Sequence, residues 1–265
     1  MDYERLVSTF RSLSIEAGAK IMEIYERADM GVDAKADASP VTDADRAADA
    51  LISQGLKAEF PDITLVTEEQ SHSHSEVADV FIIVDPLDGT KEFIQRRGDF
   101  TVNIALVENG VPTRGVVFAP AKSRLFYTDA AGQSVEETGP FLAESAGATA
   151  PITVSAPDSG ALRVVASKSH RDKATDDYIS KYATADLKSA GSSLKFCLVA
   201  TGEADFYPRL GPTMEWDTAA GDAVLRGAGG QVVTFEDHQT FTYGKPDYRN
   251  GSFIATAPGV DLKVP

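Results

Sequence analysis

The 265-residue chain holds one cysteine, Cys197. An internal disulfide framework is therefore excluded, and so are zinc sites built on cysteine clusters. Cys197 lies in the apolar run Leu194-Lys195-Phe196-Cys197-Leu198-Val199 and reads as a small buried hydrophobe. Histidine is scarce too, four in all, so chemistry that needs no histidine or cysteine nucleophile is favoured. No apolar run approaches the ~20 residues a membrane-spanning helix requires. The start, Met1-Asp2-Tyr3-Glu4-Arg5, lacks the basic-then-apolar order of a secretion signal. A cytoplasmic location is the expectation, and peripheral association with an inner membrane is compatible with it. Positive charge is short: 25 Lys and Arg against 40 Asp and Glu give a net charge of −15. A surface of that sign disfavours nucleic acid and purely electrostatic contact with anionic lipid. Much of the acid serves solubility, but carboxylates that hold cations also count as negative until the cation is bound.

What is present fits a folded globular protein. Hydrophobic residues make up 43% of the chain, and the length suits one large domain or two modest ones sharing a core. Leu6, Phe10, Leu13, Ala17, Ile21, Ile24 and Tyr25 recur at helical spacing and predict a helix over 4–28. Gly31 to Ser39 reads as a turn or short hairpin. A second helix is predicted over 45–60, stopped by Pro61-Asp62. Strands are predicted at 63–66, 80–84, 100–108, 114–119 and 124–128. The run Val80-Phe81-Ile82-Ile83-Val84 is apolar throughout, as in a central strand covered on both faces. Ala130 to Gly160, rich in Gly, Ala, Ser, Glu and Pro, is the candidate junction. It would divide an N-terminal half, 1–140, carrying most of the acids described below, from a C-terminal half, 150–265. Beyond it, strands at 163–166, 204–207 and 231–235 alternate with helices at 173–182, 194–201 and 218–227. The fold class is mixed α/β in stacked layers.

The strongest local signal is Asp85-Pro86-Leu87-Asp88-Gly89-Thr90, directly after the apolar strand. Two aspartates three residues apart in a Pro/Gly turn can aim both carboxylates at one spot, and the Leu87 carbonyl can face it as well. Carboxylate and carbonyl oxygens suit Mg²⁺ and not zinc. Asp, Pro and Gly are also ordinary turn residues, so the block alone leaves metal site and polar turn open. Further acids stand at other element ends: Asp43 and Asp45, Glu68 and Glu69, and Asp217. Singly, Asp43 and Asp217 read as helix N-caps and Glu69 as a solvated charge. Together they fit a shared cluster that needs cations to persist.

The set Ser39-Pro40-Val41-Thr42-Asp43-Ala44-Asp45, Glu68-Glu69, Asp85 to Thr90, and Glu215-Trp216-Asp217-Thr218-Ala219-Ala220-Gly221 resembles the inositol monophosphatase superfamily, in that family's order and over nearly the whole chain. Lys91-Glu92-Phe93-Ile94, Gly191-Ser192-Ser193-Leu194-Lys195-Phe196 and Tyr207-Pro208-Arg209-Leu210-Gly211-Pro212-Thr213 resemble its 3′(2′),5′-bisphosphate nucleotidase branch. The resemblance implies the αβαβα sandwich shared with fructose-1,6-bisphosphatase. It implies two or three Mg²⁺ per site, with Glu68, Asp85 and the Leu87 carbonyl holding one and Asp85, Asp88 and Asp217 a second. Glu68 would reach a third, weaker ion, and Asp43 would support the loop. It also implies that Asp45 and Thr90 orient and deprotonate the attacking water, that lithium inhibits, and that the substrate belongs to nucleotide metabolism and sulfur assimilation, 3′-phosphoadenosine 5′-phosphate being converted to AMP.

Hydrolysis of a phosphate monoester by this route needs charge neutralisation and an activated water. Backbone N–H groups of Gly89 and Thr90, and the helix start after Asp217, are candidate phosphate holders. A second phosphate needs cations away from the metals. Lys195 and Arg209 are the candidates, with Ser167, Ser169 and His170 adding hydrogen bonds. The plainer alternatives are a lysine snorkelling from a helix face and an arginine in a surface ion pair. His72 and His74 read as part of a flexible loop, and Trp216 as packing more than an adenine platform. Two rival functions remain: an inositol or broader sugar-phosphate phosphatase, and an inactive metal- or nucleotide-binding protein.

Overall fold

The structure, a computed structural model, describes residues 1–35 and 40–264. Ser39 and the tip of the expected hairpin lie outside the described residues. Helix α1 (Tyr3–Tyr25) starts at an Asp2 cap whose carboxylate accepts from the Arg5 N–H. It ends with the last of its periodic apolar residues, Tyr25, short of the predicted end at 28, and Arg96 donates to the carbonyls of Tyr25 and Arg27. Strands β1 (Asp33–Ala34) and β2 (Pro40–Val41) pair antiparallel and lead into α2 (Asp43–Glu59).

The chain then builds a seven-stranded sheet in sequence order: β3 (Thr64–Thr67), β4 (Val80–Asp88), β5 (Thr101–Glu108), β6 (Val111–Ala119), β7 (Arg124–Thr128), β8 (Ser134–Thr138) and β9 (Ala148–Pro151). Only the β3–β4 pair is parallel. A short helix, α3 (Thr90–Ile94), interrupts the run between β4 and β5. The candidate junction at 130–160 therefore carries two strands of its own, β8 and β9. Its small polar composition is that of an exposed sheet margin, since β9 is exposed along its length.

The second sheet has five strands in the order β11-β10-β12-β16-β14, from β10 (Leu162–Ser167), β11 (Thr184–Ala190), β12 (Phe206–Arg209), β14 (Gln231–Thr234) and β16 (Phe253–Thr256). Between them fall α4 (Lys173–Ile179), α5 (Leu194–Ala200) and α6 (Ala219–Gly227), and a two-stranded ribbon of β13 (Thr213–Met214) and β15 (Arg249–Asn250).

These pieces stack in five layers. Helices α1 and α2 pack together on one face of the large sheet, α5 and α6 lie between the two sheets, and α4 contacts β12 of the second sheet. Three apolar cores follow. One holds Phe10, Ile21, Ile52 and Ile104 under α1 and α2. A second holds Val117, Phe196, Trp216, Val224 and Phe253 between the sheets. The third holds Val164, Tyr178, Phe206 and Ile254 under α4. Among the described residues no helix is long and apolar enough to cross a membrane.

Candidate active site

Strand β4 does not end at Val84. It continues through a bulge between Asp85 and Asp88, which breaks the alternation of side chains and turns both aspartates to one side. The Leu87 N–H donates to Asp85 Oδ1 at 3.0 Å, fixing that turn. Gly89 follows with φ 96°. A Cβ there would meet the Asp99 carbonyl at 3.0 Å, so glycine is needed to swing the chain from β4 into α3.

Asp217 arrives from the other half, just ahead of α6. Carboxylate oxygens of Asp85, Asp88 and Asp217 lie within 4.8 Å of one another. Asp217 is not the N-cap of α6: that position is Thr218, and Asp217 instead accepts from the Met214 N–H at 2.8 Å. Asp88 accepts from the Ser193 N–H at 2.6 Å and from Asn103 at 3.2 Å, while the Ser193 hydroxyl donates to the Asp217 carbonyl at 2.7 Å. Burial raises Asp88 to about 6, against the pull of Lys195, Asn103 and the Ser193 N–H. Burial and the nearby Asp88 raise Asp217 to about 8. Asp85 is pushed up by burial and by Glu68, Asp88 and Asp217. The donor set is all carboxylate oxygen, the chemistry of a hard divalent ion, and its repulsion is relieved by one.

Asp43 is not an N-cap either. Thr42 caps α2 in a reciprocal capping box with Asp45. Asp45 Oδ2 accepts from the Thr42 N–H at 2.7 Å and from its hydroxyl at 2.5 Å. Its other oxygen accepts from the Thr90 hydroxyl at 3.1 Å. Forty-five residues of sequence separate this pair, and the fold closes it. Burial raises the Asp45 carboxyl against the pull of Thr42. Asp43 is exposed and pairs with Arg46 at 3.2 Å.

Glu68 and Glu69, at the end of β3, are bridged by Lys35. Its ammonium lies 2.7 Å from Glu68 and 2.6 Å from Glu69. Burial and the neighbouring Glu68 raise Glu69 to about 7, although Lys35 works the other way. Glu69 is thus a paired, largely buried acid and not a solvated one. Lys35 was not among the residues singled out from sequence: nothing local marks a lysine directly after β1 as facing two acids 33 and 34 residues on.

Lys35, Glu68, Glu69, Asp85, Asp88, Thr90 and Asp217 open into one cavity of about 750 Å³, with Asp45 reached through Thr90. Lys91, His170, Lys195 and Arg209 line the same cavity. Arg209 is buried, and its guanidinium donates to the carbonyls of Gly211, His170 and Pro212 at 3.2, 3.2 and 3.0 Å. It is a fixed cation and not half of a surface ion pair. Lys195 is buried as well, donating to the Ser192 carbonyl at 2.5 Å. Burial lowers it to about 8, with Arg209 adding to the effect and Asp88 opposing it, which rules out a lysine snorkelling to solvent. Ser167 lines the cavity and accepts from the His170 N–H at 3.1 Å. Ser169 turns elsewhere, its hydroxyl donating to Glu92. Lys91, 3.2 Å from His170, is a wall cation that sequence reasoning left unassigned. The quoted Lys91-Glu92-Phe93 run was its only signal.

The histidine-bearing segment is a short 3₁₀ helix, Ser71–Ser75, and not a flexible loop. His74 stacks on Trp216 with ring centroids 4.6 Å apart and hydrogen-bonds the Thr67 carbonyl at 2.8 Å. Trp216 is buried in the core between the sheets and also lines the cavity, as His74 does.

A layered sandwich with a buried acid cluster at the end of its central strand, and basic side chains lining the same cavity, has the make-up of a metal-dependent phosphatase. The model of the inositol monophosphatase family matches residues 2–263. The chain belongs to that family of magnesium-dependent phosphatases. It is 45% identical over 243 residues to the 3′(2′),5′-bisphosphate nucleotidase CysQ of Escherichia coli O157:H7, covering 89% of this chain and 91% of the relative. It is 44% identical to the Salmonella typhimurium protein of the same name, covering 92% and 96%. The crystal structure of CysQ from Bacteroides thetaiotaomicron superposes with a TM-score of 0.82 at 38% identity, covering 96% and 98%. An inositol monophosphatase from Thermotoga maritima gives 0.72 at 28% identity, covering 93% and 89%.

Proposed function

We propose that this protein hydrolyses 3′-phosphoadenosine 5′-phosphate to AMP and phosphate. The observation that carries the reading is that one cavity holds both the acid cluster and a set of basic side chains, Arg209, held by three carbonyls, with Lys91, His170 and Lys195. A monophosphate needs only the acid cluster and its metal; a second phosphate gives the basic side chains a partner. The relatives named for bisphosphate nucleotides at 44–45% identity support the same choice.

In this reading Asp85, Asp88 and Asp217 hold magnesium, with Glu68 and the Leu87 carbonyl beside them. Bound Mg²⁺ would neutralise phosphate charge, acidify a water and stabilise the leaving oxygen. The chain's residues do the rest. The Thr90 hydroxyl gives its proton to Asp45 Oδ1, so its lone pairs are free to accept from the attacking water. Asp45, raised by burial, takes up the proton through Thr90. Water oxygen bonds to phosphorus, the bond to the 3′ oxygen breaks, that oxygen takes a proton from solvent water, and Asp45 returns its proton to solvent. Gly89 and Thr90 at the start of α3, and the helix start after Asp217, line the phosphate position. The wall cations hold the 5′ phosphate as a spectator. The free, buried Cys197 agrees with a cytoplasmic, reducing compartment.

The test is phosphate release from the nucleotide and from inositol 1-phosphate side by side, with magnesium and then with chelator. Magnesium-dependent preference for the nucleotide is expected. Preference for inositol phosphate would keep the acid cluster and overturn the assignment of the wall cations. Lithium should lower turnover by displacing a weakly held magnesium, and full activity at millimolar lithium would count against that exchange.

A further inference from the structure

The segment that follows Thr90 is tied side chain by side chain to the segment that carries His170. Lys91 meets His170 at 3.2 Å, Glu92 accepts from Ser169, and Asp99 Oδ2 meets Lys168 at 3.0 Å. Asp99 is buried, while Lys168 is partly exposed. Its other oxygen meets Lys122 at 3.0 Å, but among the described residues Lys122 makes no hydrogen bond or ion pair to 167–170. The backbones close at the same point: a Cβ on Gly191 would fall 2.5 Å from the Asp99 carbonyl oxygen. Asp99 belongs to the half built on the large sheet, and Lys168 follows β10 of the second sheet.

The connection continues into the cavity. His170 offers its carbonyl to Arg209 Nη1 at 3.2 Å and its ring to Lys91. Arg209 therefore owes part of its orientation to a segment pinned by Asp99. The side-chain hydrogen bonds of Asp45 and the three clustered aspartates run to other residues: Thr42, Thr90, Leu87, Met214, Asn103 and Ser193.

We propose that the Asp99–Lys168 ion pair is a specificity latch. It positions His170 and Arg209 to grip a second phosphate and leaves the chemistry on the first phosphate untouched. Neither residue lines the cavity, so both are positioning residues. The inference rests on the bisphosphate reading above. A purely electrostatic account makes the opposite prediction for one partner. Removing the Asp99 anion would by its field alone tighten phosphate binding, whereas loss of a latch weakens it.

The experiment compares 3′-phosphoadenosine 5′-phosphate with adenosine 3′-monophosphate, which lacks the second phosphate, as substrates of Lys168→Met, Asp99→Ala and Lys122→Met. The latch predicts that Lys168→Met and Asp99→Ala each raise KM for the bisphosphate by roughly tenfold at unchanged kcat, the scale of one lost charged contact. KM for the monophosphate should move by less than about twofold. Lys168→Arg should restore the bisphosphate KM, and Lys122→Met should leave both substrates alone. Lys168 is partly exposed, so its variants report even where Asp99→Ala folds poorly. Equal losses on both substrates, an unchanged bisphosphate KM, tighter binding in Asp99→Ala, or an equal effect of Lys122→Met would each overturn the latch. If the unsubstituted protein shows no preference for the bisphosphate, the substrate reading itself falls, and the latch with it.

Discussion

Thr90 has one hydroxyl proton and two acceptors within reach, Asp45 Oδ1 at 3.1 Å and the Leu87 carbonyl at 3.4 Å. The shorter contact, to a buried carboxylate, sets its direction. Thr90→Val keeps the shape of the side chain and removes the proton path. Turnover should fall by about 10²- to 10⁴-fold, while calorimetric titration shows Mg²⁺ still binding; loss of both together would place Thr90 in the metal site instead. Lys35 poses a different question, since its ammonium sits on Glu68 and Glu69 at ion-pair distance. A cation of the chain there opposes a cation from solution. Lys35→Met should tighten Mg²⁺ binding by roughly fivefold, the equivalent of about 1 kcal/mol for a partly exposed pair. Weaker binding in the same titration would mean that the lysine helps to place Glu68. These two residues also mark the limit of what was legible. Asp85, Asp88 and Thr90 share one short turn, so their joint purpose is written locally. Asp45 and Asp217 were legible from their places at element ends as members of an acid cluster, but their separate roles came only with the family resemblance. Lys35, Lys91, Asn103 and Ser193 meet their partners across long stretches of chain, and no local pattern announces such contacts.

At the scale of elements, α6 links packing to the site. It lies against β5 and β6 and begins two residues after Asp217. Its approach to β6 is close because Gly115 has no side chain: a Cβ there would fall 2.8 Å from the Ala220 carbonyl and 2.9 Å from the Ala223 Cβ. Backbone atoms of a packed helix cannot yield as a flexible side chain does. Gly115→Val should therefore lower stability by about 1–3 kcal/mol, read by thermal unfolding, and weaken Mg²⁺ binding as α6 carries Asp217 outward. Lost stability with unchanged metal binding would show that Asp217 is held by Met214 and Ser193 alone. The same scale explains which elements were foreseeable. Apolar period marked α1, α2 and strands β4 to β7, where one face or both are buried. It failed for β9 and β11, whose residues are almost wholly exposed, since an edge strand held by backbone bonds carries no hydrophobic alternation. The short α3 was missed for a related reason: five residues give no full helical repeat, and the turn at Gly89 sets where it starts.

At the scale of the molecule, two sheets share the core around α5 and α6, and we propose that the halves 1–140 and 150–265 fold as one unit with the acid cluster at their seam. The cluster couples that unit to pH and to metal. In the metal-free protein, Asp88 is raised to about 6 and Asp217 to about 8, with Asp85 raised too, burial being the main cause. Their unfolded values are near 3.9. A carboxyl whose folded pKa is raised takes up a proton on folding. Its contribution is fully present below the unfolded value and is lost as pH rises through the folded one. The metal-free protein should therefore lose stability between about pH 4 and pH 8 on account of these groups. Magnesium binds the ionised cluster and reverses that loss, so its stabilising effect must grow over the same interval. The measurement is the melting temperature with chelator and with saturating Mg²⁺, taken from about pH 5.5 to about pH 8.5. The gain from metal should widen steadily with pH, and Asp217→Asn should flatten that widening by removing a carboxyl raised to about 8. A gain of constant size would mean that the buried acids are already ionised without the ion, their repulsion absorbed by Lys195 and the surrounding N–H donors. The cations on the cavity wall would then stabilise the empty acid cluster as well as grip a second phosphate.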